Sequence, residues 1–226
     1  MLILRGPADI DFCDDELKEI LVQLYKPTKQ KGTKRKRAIV NAFTACVRKQ
    51  GYANTSLVDI AKEADVFPSL LFYYFKSKED LLRVCFQRQC DIIVSGLEQI
   101  EGYDLEGKIN YITDFLFNQS EQVNTFTTGF MYEAIGISVN DEQLGLSKRG
   151  MDRCCKNLLA QIFVGIDEDE AVRQEKAEII YALLAGTKLN GYFEPEAEPD
   201  QGRESFRKVL RLFCHLDSRW LVAHVH

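Results

Sequence analysis

The sequence is short of histidine, tryptophan and proline, and each shortage narrows what the chain can do. Its three histidines, His215, His224 and His226, all fall at or beyond position 215. The body of the chain therefore offers no imidazole for a metal set or for activating a nucleophile. No GxGxxG, GxxxxGK[ST] or GxSxG string occurs, which removes the common phosphate cradles and the nucleophile elbow. No catalytic residue, metal site or cofactor is expected. Proline is absent from Ser69 to Glu194, so nothing in that stretch forces a helix to stop. No apolar run reaches the 18 or more residues of a membrane helix, and MLILRGPADID breaks into Arg, Gly, Pro and acids too early for a secretory signal. A cytoplasmic address with no membrane partner is the expectation. The seven cysteines, Cys13, Cys46, Cys85, Cys90, Cys154, Cys155 and Cys214, are odd in number and form no CxxC pair. Most lie inside apolar helical patterns, as reduced, buried thiols do.

Positive charge is scarce overall but concentrated. The formal net charge is −5, yet residues 29–88 hold 13 Lys or Arg against five acids, while 1–28 are net −3 and 89–226 net −10. An acidic protein with one basic segment suits a polyanionic partner at that segment, since Lys and Arg supply the salt-sensitive part of nucleic-acid affinity. A solvated basic face has the same composition. The same segment carries a pattern from Leu57 to Leu82, LVDIAKEADVFPSLLFYYFKSKEDLL. Leu57, Ile60, Ala61 and Ala64 recur at three-and-four spacing on one helical face. Ser56 with Asp59 makes a capping box, Asp65-Val66 a short turn, and Pro68 fits the first position of a second helix through PSLLFYYF. Ser77-Lys78-Glu79-Asp80 opens a third, longer helix. Two short helices joined by three or four residues are a helix-turn-helix, whose second helix presents its first residues to the DNA major groove.

The ordered string Thr55-Ser56-x-x-x-Ile60-Ala61-x-x-Ala64-x-Val66, followed by Leu71-Phe72-Tyr73-Tyr74-Phe75-Lys76-Ser77-Lys78-Glu79-x-Leu81-Leu82, resembles the DNA-binding domain of the tetracycline-repressor (TetR) family of bacterial transcription regulators. By motif the resemblance covers roughly residues 33–86. It implies an all-α fold, a three-helix DNA-binding domain at 29–86 and an effector-binding, dimerising helical bundle at 87–226. It further implies a homodimer on a palindromic duplex operator, released when a small-molecule effector binds. By position the family places Phe67, Pro68, Ser69, Leu70 and Tyr73 near base edges, and Thr55, Ser56, Phe72, Tyr74, Lys76 and Lys78 near phosphates. Lys34 and Arg35 join them at the start of the first helix, where cations oppose the helix dipole and nearby phosphates would favour them. The chain departs from the family pattern at Phe67, Leu70, Phe72 and Tyr74, and Phe72 lacks a hydroxyl for a phosphate. With no Arg, Asn or Gln on this helix, apolar contact with thymine methyls, Ser69, Tyr73 and DNA shape are what remain for readout.

In chain order, residues 1–28 form an acidic extension with an amphipathic helix Asp14 to Tyr25, longer than the family's usual start. Pro27 to Thr33 reads as a basic linker. The first helix of the domain opens at Lys34, turns Ile39, Ala42, Phe43, Cys46 and Val47 inward, and ends at Gly51. Further helices are expected at Lys78 to about Ile100, Leu105 to Asn118, Glu121 to about Val139, Asp141 to Phe163, Asp167 to Tyr192, and Glu204 to about Leu216. Within 167–192, Ala177, Ile180, Tyr181, Leu184 and Leu189 face inward. The resemblance implies that the last two helices pair with those of a second subunit. Tyr111, Phe115, Phe130, Met131, Tyr132, Met151 and Cys155 are the candidates for lining a pocket for a hydrophobic or aromatic effector, and each serves equally well as core. Two other readings stand beside this one: a thiol-based redox sensor using Cys154-Cys155 or Cys85/Cys90, and a helical adaptor working through the N-terminal extension.

Overall fold

With no proline removing a backbone donor between residues 69 and 194, helix satisfies the backbone of nearly every element, and no strand occurs among the described residues. The computed structural model describes residues 30–117, 128–167, 169–193 and 200–215. Its helices are α1 (Gln30–Gln50), α2 (Leu57–Glu63), α3 (Pro68–Tyr74), α4 (Lys78–Gln99), α5 (Leu105–Phe117), α6 (Thr128–Ser138), α7 (Glu142–Ala160), α8 (Glu170–Phe193) and α9 (Gln201–His215). The acidic extension at 1–28 and its expected helix lie outside the described residues.

Several boundaries differ from expectation for local reasons. Helix α1 begins at Gln30, not Lys34, so Lys34 to Arg37 occupy its second turn and Gly32 does not interrupt it. Helix α7 tightens after Ala160 into a 3-10 turn, Gln161–Phe163, that buries Ile162 and Phe163 before Gly165 reverses the chain at φ 91°. Helix α8 begins three residues after Asp167, because that carboxylate points inward to Lys176 while Asp169 Oδ1 accepts the Ala171 N–H at 2.8 Å.

The chain forms two units. The first contains the described residues 30–90 and 128–151. Its core gathers the expected α1 stripe, Ile39, Ala42, Phe43, Cys46 and Val47, with Ile60, Leu71, Phe75, Leu81 and Leu82, all buried. Phe43 sits at the centre, its ring edge-on to Tyr52 at 6.2 Å and to Phe130 at 5.6 Å. Phe130 is therefore core of this unit, a correction to its expected place against an effector.

The second unit contains the described residues 91–117 and 152–215. Helix α9 packs on α5 and α8 through Phe206, Leu210 and Cys214, buried at four-residue intervals. On its flank Arg207 reaches Asp114 at 2.8 Å and Arg211 pairs with Glu106. Ala177, Ile180 and Leu184 of α8 are buried as expected, but Leu189 is exposed, together with Leu183, Tyr192 and Phe193.

Helices α4 and α5 meet closely at Gly96, where an added Cβ would lie 2.9 Å from the Phe115 ring. In an open helix, Gly→Ala stabilises by about 1 kcal/mol. Here the ring, stacked on Tyr111 at 5.9 Å, has to give way, and overpacking costs about 1–3 kcal/mol. Gly96→Ala is expected to lower the urea midpoint with an unchanged m-value, and adding Phe115→Leu to recover most of the loss.

Candidate nucleic-acid interface

The candidate interface begins with two helix ends that the local sequence closes. Ser56 caps α2 with both halves of a capping box, its hydroxyl accepting the Asp59 N–H at 3.1 Å while Asp59 Oδ2 accepts the Ser56 N–H at 3.0 Å. The Ser56 O–H, donating to that carboxylate, and then the Ser56 N–H hold Asp59 below the usual carboxylate range. At the other end Asp65 takes a left-handed φ of 51°, letting the Val66 N–H reach Ala61 O at 3.0 Å and the Asp65 N–H reach Lys62 O at 3.2 Å. This pair of reversed bonds stops a helix and turns the chain within two residues. Phe67 is extended, Pro68 takes the first helical position without losing a useful donor, and α3 follows.

Leu71 and Phe75 are buried and fix the rotation of α3. The outward side then presents Ser69 and, four residues on, Tyr73, with Phe72 on the flank. Phe67 is 83% and Tyr73 78% exposed. Pro68 is exposed, Leu70 and Tyr74 are half-buried, and the Tyr74 ring lies edge-on to Tyr73 and 5.8 Å from Lys36 Nζ. Lys34, Arg35 and Lys76 are exposed.

Three expected phosphate contacts are engaged internally. Thr55 is 2% exposed and donates its hydroxyl to Gly51 O at 2.8 Å, latching the end of α1; this corrects its expected place on the surface. The Ser56 hydroxyl is committed to Asp59, which its O–H reaches at 2.6 Å. Lys78 Nζ donates to Tyr52 O at 2.8 Å and lies 4.3 Å from the centre of the Tyr52 ring.

Tyr52 is the residue that spacing did not reveal. Its N–H donates to Glu133 Oε2 of α6 at 3.1 Å, its O–H to Glu79 Oε1 of α4 at 2.8 Å, and its carbonyl accepts Lys78. One residue, through its N–H, its carbonyl and its phenol, thus joins the end of α1, the start of α4 and α6. Burial, the hydrogen bond to Glu79 and the charge of Glu79 push the Tyr52 phenol well above its ordinary value. A raised folded-state value means the neutral phenol contributes stability that is whole below about pH 10 and declines as pH rises above it. Tyr52→Phe is expected to make the loss of stability above pH 10 shallower, as read from urea midpoints across an alkaline series. Tyr181, whose phenol is raised by burial and by Asp152, keeps part of that loss in the variant.

The effector candidates divide between the units. Phe130, Met131, Tyr132 and Met151 belong to the first, and Tyr111, Phe115 and Cys155 to the second. In the second unit Tyr111 donates its O–H to Gln99 Oε1 at 3.1 Å. Cys155 is buried, its thiol pushed up to about 12 by that burial. Around it stand groups that the apolar inventory passed over. Lys188 donates to Leu116 O at 2.7 Å, its ammonium lowered by burial, and Tyr181 donates to Asp152. Cys46, Cys85, Cys155 and Cys214 are free and buried, poor conditions for a reactive thiolate.

Two short helices closed by a capping box and a two-residue turn, with an exposed aromatic face on the second and cations beside it, define a helix-turn-helix head. Residues 39–85 match the model of the bacterial regulatory proteins, tetR family. The HTH-type transcriptional regulator HbdR of Aromatoleum sp. (strain CIB) is 35% identical over 69 residues, 30% of this chain and 30% of its own length. The fold is shared with a TetR transcription regulator from Haloarcula marismortui, at a TM-score of 0.68 and 18% identity over 80% of this chain and 97% of that one. It is shared too with the fatty acid degradation regulator FadR from Bacillus halodurans, at a TM-score of 0.61 and 20% identity over 84% and 97%. The likeness to the tetR family of bacterial regulatory proteins is carried by this segment, residues 39–85, and the fold of the described residues agrees with it. Among the described residues no helix is long and apolar enough to cross a membrane.

Proposed function

We propose that the chain is a homodimeric, one-component transcription regulator that binds a palindromic duplex operator through α3 and leaves it when a small effector binds. The observation that carries this reading is the α2–turn–α3 unit, whose second helix is locked by Leu71 and Phe75 and turns Ser69 and Tyr73 outward, in a domain where Lys34, Arg35 and Lys76 are exposed and Lys36 lies 5.8 Å from the Tyr74 ring. Lys34, Arg35 and Lys76 take phosphates; Phe67, Pro68, Ser69, Leu70 and Tyr73 take base edges; Phe72 and Tyr74 flank them. Lys78, tied to Tyr52, acts by holding α4 against the end of α1.

The exposed Leu183, Leu189, Tyr192 and Phe193 of α8 and Leu212 of α9 support a dimer in which these faces meet those of a second copy. Two heads then engage half-sites about 34–36 Å apart. Tyr111, Phe115 and Cys155, with Lys188 and Tyr181 near the thiol, support a largely apolar or aromatic effector carrying an acceptor group. The effector works by favouring one of two head separations. A cytoplasmic place suits a regulator of this kind.

The test is a mobility shift of the full chain on duplex fragments from its own upstream region across a salt series, with sedimentation to give the oligomer. Salt-sensitive shifts by a dimer support the reading. A strictly monomeric protein that no duplex retards, even in dilute buffer, sinks it.

A further inference from the structure

What α3 lacks is as informative as what it presents. Between Val66 and Phe75 there is no Arg, Lys, Asn, Gln, Asp or Glu. The bidentate pairings that pick out guanine or adenine, and the carboxylate pairing to cytosine, therefore have no partner on this helix. Ser69 has a hydroxyl, which accepts or donates without distinguishing bases strongly. Its most exposed neighbours are instead aromatic: Phe67 and Tyr73 stand clear of the core, and Phe72 is half exposed. Aromatic surface left in water gains free energy wherever it meets another apolar surface. The floor of the major groove offers one such surface, the C5 methyl of thymine. Exposed Lys34, Arg35 and Lys76, in a segment with 13 cations against five acids, commit the aromatic patch to a polyanion.

Resting on the duplex-binding reading above, we infer that α3 reads 5-methylpyrimidines, chiefly through Phe67 and Tyr73. Operator half-sites are specified by where thymine methyls lie, not by guanine contacts. Thymine and 5-methylcytosine carry the same methyl at the same ring position, so methylating a cytosine at a contacted step creates a contact in place of blocking one. Deoxyuridine keeps the pairing and the O4 acceptor of thymine and removes only the methyl.

The experiment starts from duplexes selected by the full-length protein from a random-sequence library. Each selected duplex is then remade with deoxyuridine at single thymines and at all half-site thymines. Each contacted methyl removed is expected to weaken binding about fourfold, and all together by more than tenfold, with an unchanged salt slope. Deoxyuridine outside the half-sites is expected to leave affinity unchanged. Phe67→Ala and Tyr73→Ala are expected to weaken the thymine duplex while binding the deoxyuridine form no worse than the parent chain does, and Phe67→Leu to retain part of the preference. Equal affinity for thymine and deoxyuridine forms, or selection converging on guanines in the half-sites, overturns the inference. So does self-association of the free protein that Phe67→Ala abolishes, since the patch would then be a contact between copies. Failure to select any duplex at low salt overturns the duplex-binding reading itself, an outcome distinct from tight binding that ignores the methyl.

Discussion

Raising monovalent salt from 50 to 200 mM is expected to weaken operator binding by about three orders of magnitude. The figure follows from counting free cations. Lys34, Arg35 and Lys76 are exposed, and the proposed interface would use all three. Two heads would neutralise about six phosphates, which gives a slope of about −5.4 in log K against log salt at about 0.9 per contact on duplex DNA. A single head would give half that slope, so the measurement reports on the dimer as well as on the cations. Lys76→Ala, present in both subunits, is expected to flatten the slope by about 1.8. Lys78→Ala is expected to behave differently, because that ammonium holds the Tyr52 carbonyl. Its loss should lower affinity by loosening the junction of α1 and α4 and leave the slope as it was. A slope change from Lys78→Ala equal to that from Lys76→Ala would return Lys78 to the phosphates. A near-zero slope for the parent chain would remove the electrostatic account altogether.

The largest expected effect on stability lies in the second unit, at Asp167 and Lys176. Lys176 has a side chain 0% exposed and Asp167 one 4% exposed, with Nζ 2.8 Å from Oδ2. The ammonium also lies 5.2 Å from the centre of the Phe163 ring, and Arg173 donates to the Asp167 carbonyl at 2.8 Å. An ion pair taken this far from water gains little over an apolar pair of the same shape, because desolvation offsets the attraction. Removing one member is another matter. Asp167→Ala leaves a buried ammonium without its counter-charge and is expected to cost about 3–5 kcal/mol, a large share of the roughly 5–15 kcal/mol by which domains are stable. The double variant Asp167→Ala, Lys176→Met removes both charges and is expected to recover most of that. Urea midpoints at constant m-value measure both. A loss below about 1 kcal/mol from Asp167→Ala would mean that Lys176 finds water by a small movement.

What was legible in the sequence and what was not divide along the range of the interactions. The capping box at Ser56 and Asp59, the turn at Asp65, the first-turn proline at Pro68 and the inward stripe of α1 are all encoded within a few residues, and the structure has each of them. Tyr52 was missed because its partners Glu79 and Glu133 lie 27 and 81 residues away. No spacing rule connects an exposed-looking tyrosine to them. Thr55 and Lys78 were placed near phosphates by the family resemblance, and it is the fold around Gly51 and Tyr52 that engages them internally. Nothing in the sequence set Lys176 or Lys188 apart; whether a lysine is covered is decided by which way the helix faces and by a partner such as Asp167 or the Leu116 carbonyl. Leu189 was read as core from its spacing alone, whereas it lies with Leu183, Tyr192 and Phe193 on exposed surface of α8.

The left-handed residue at the bend has a bearing on how this protein can change over generations. Glycine occupies such a conformation without steric cost, whereas a residue with a Cβ gives up roughly 1–2 kcal/mol there, less for aspartate than for most. The acid at position 65 also stands two places ahead of Phe67 and repels the phosphates that a duplex would bring near it. Aspartate and glycine codons differ by a single nucleotide. One nucleotide change, Asp65→Gly, is therefore expected to relieve the bend and to remove a negative charge from the proposed duplex contact.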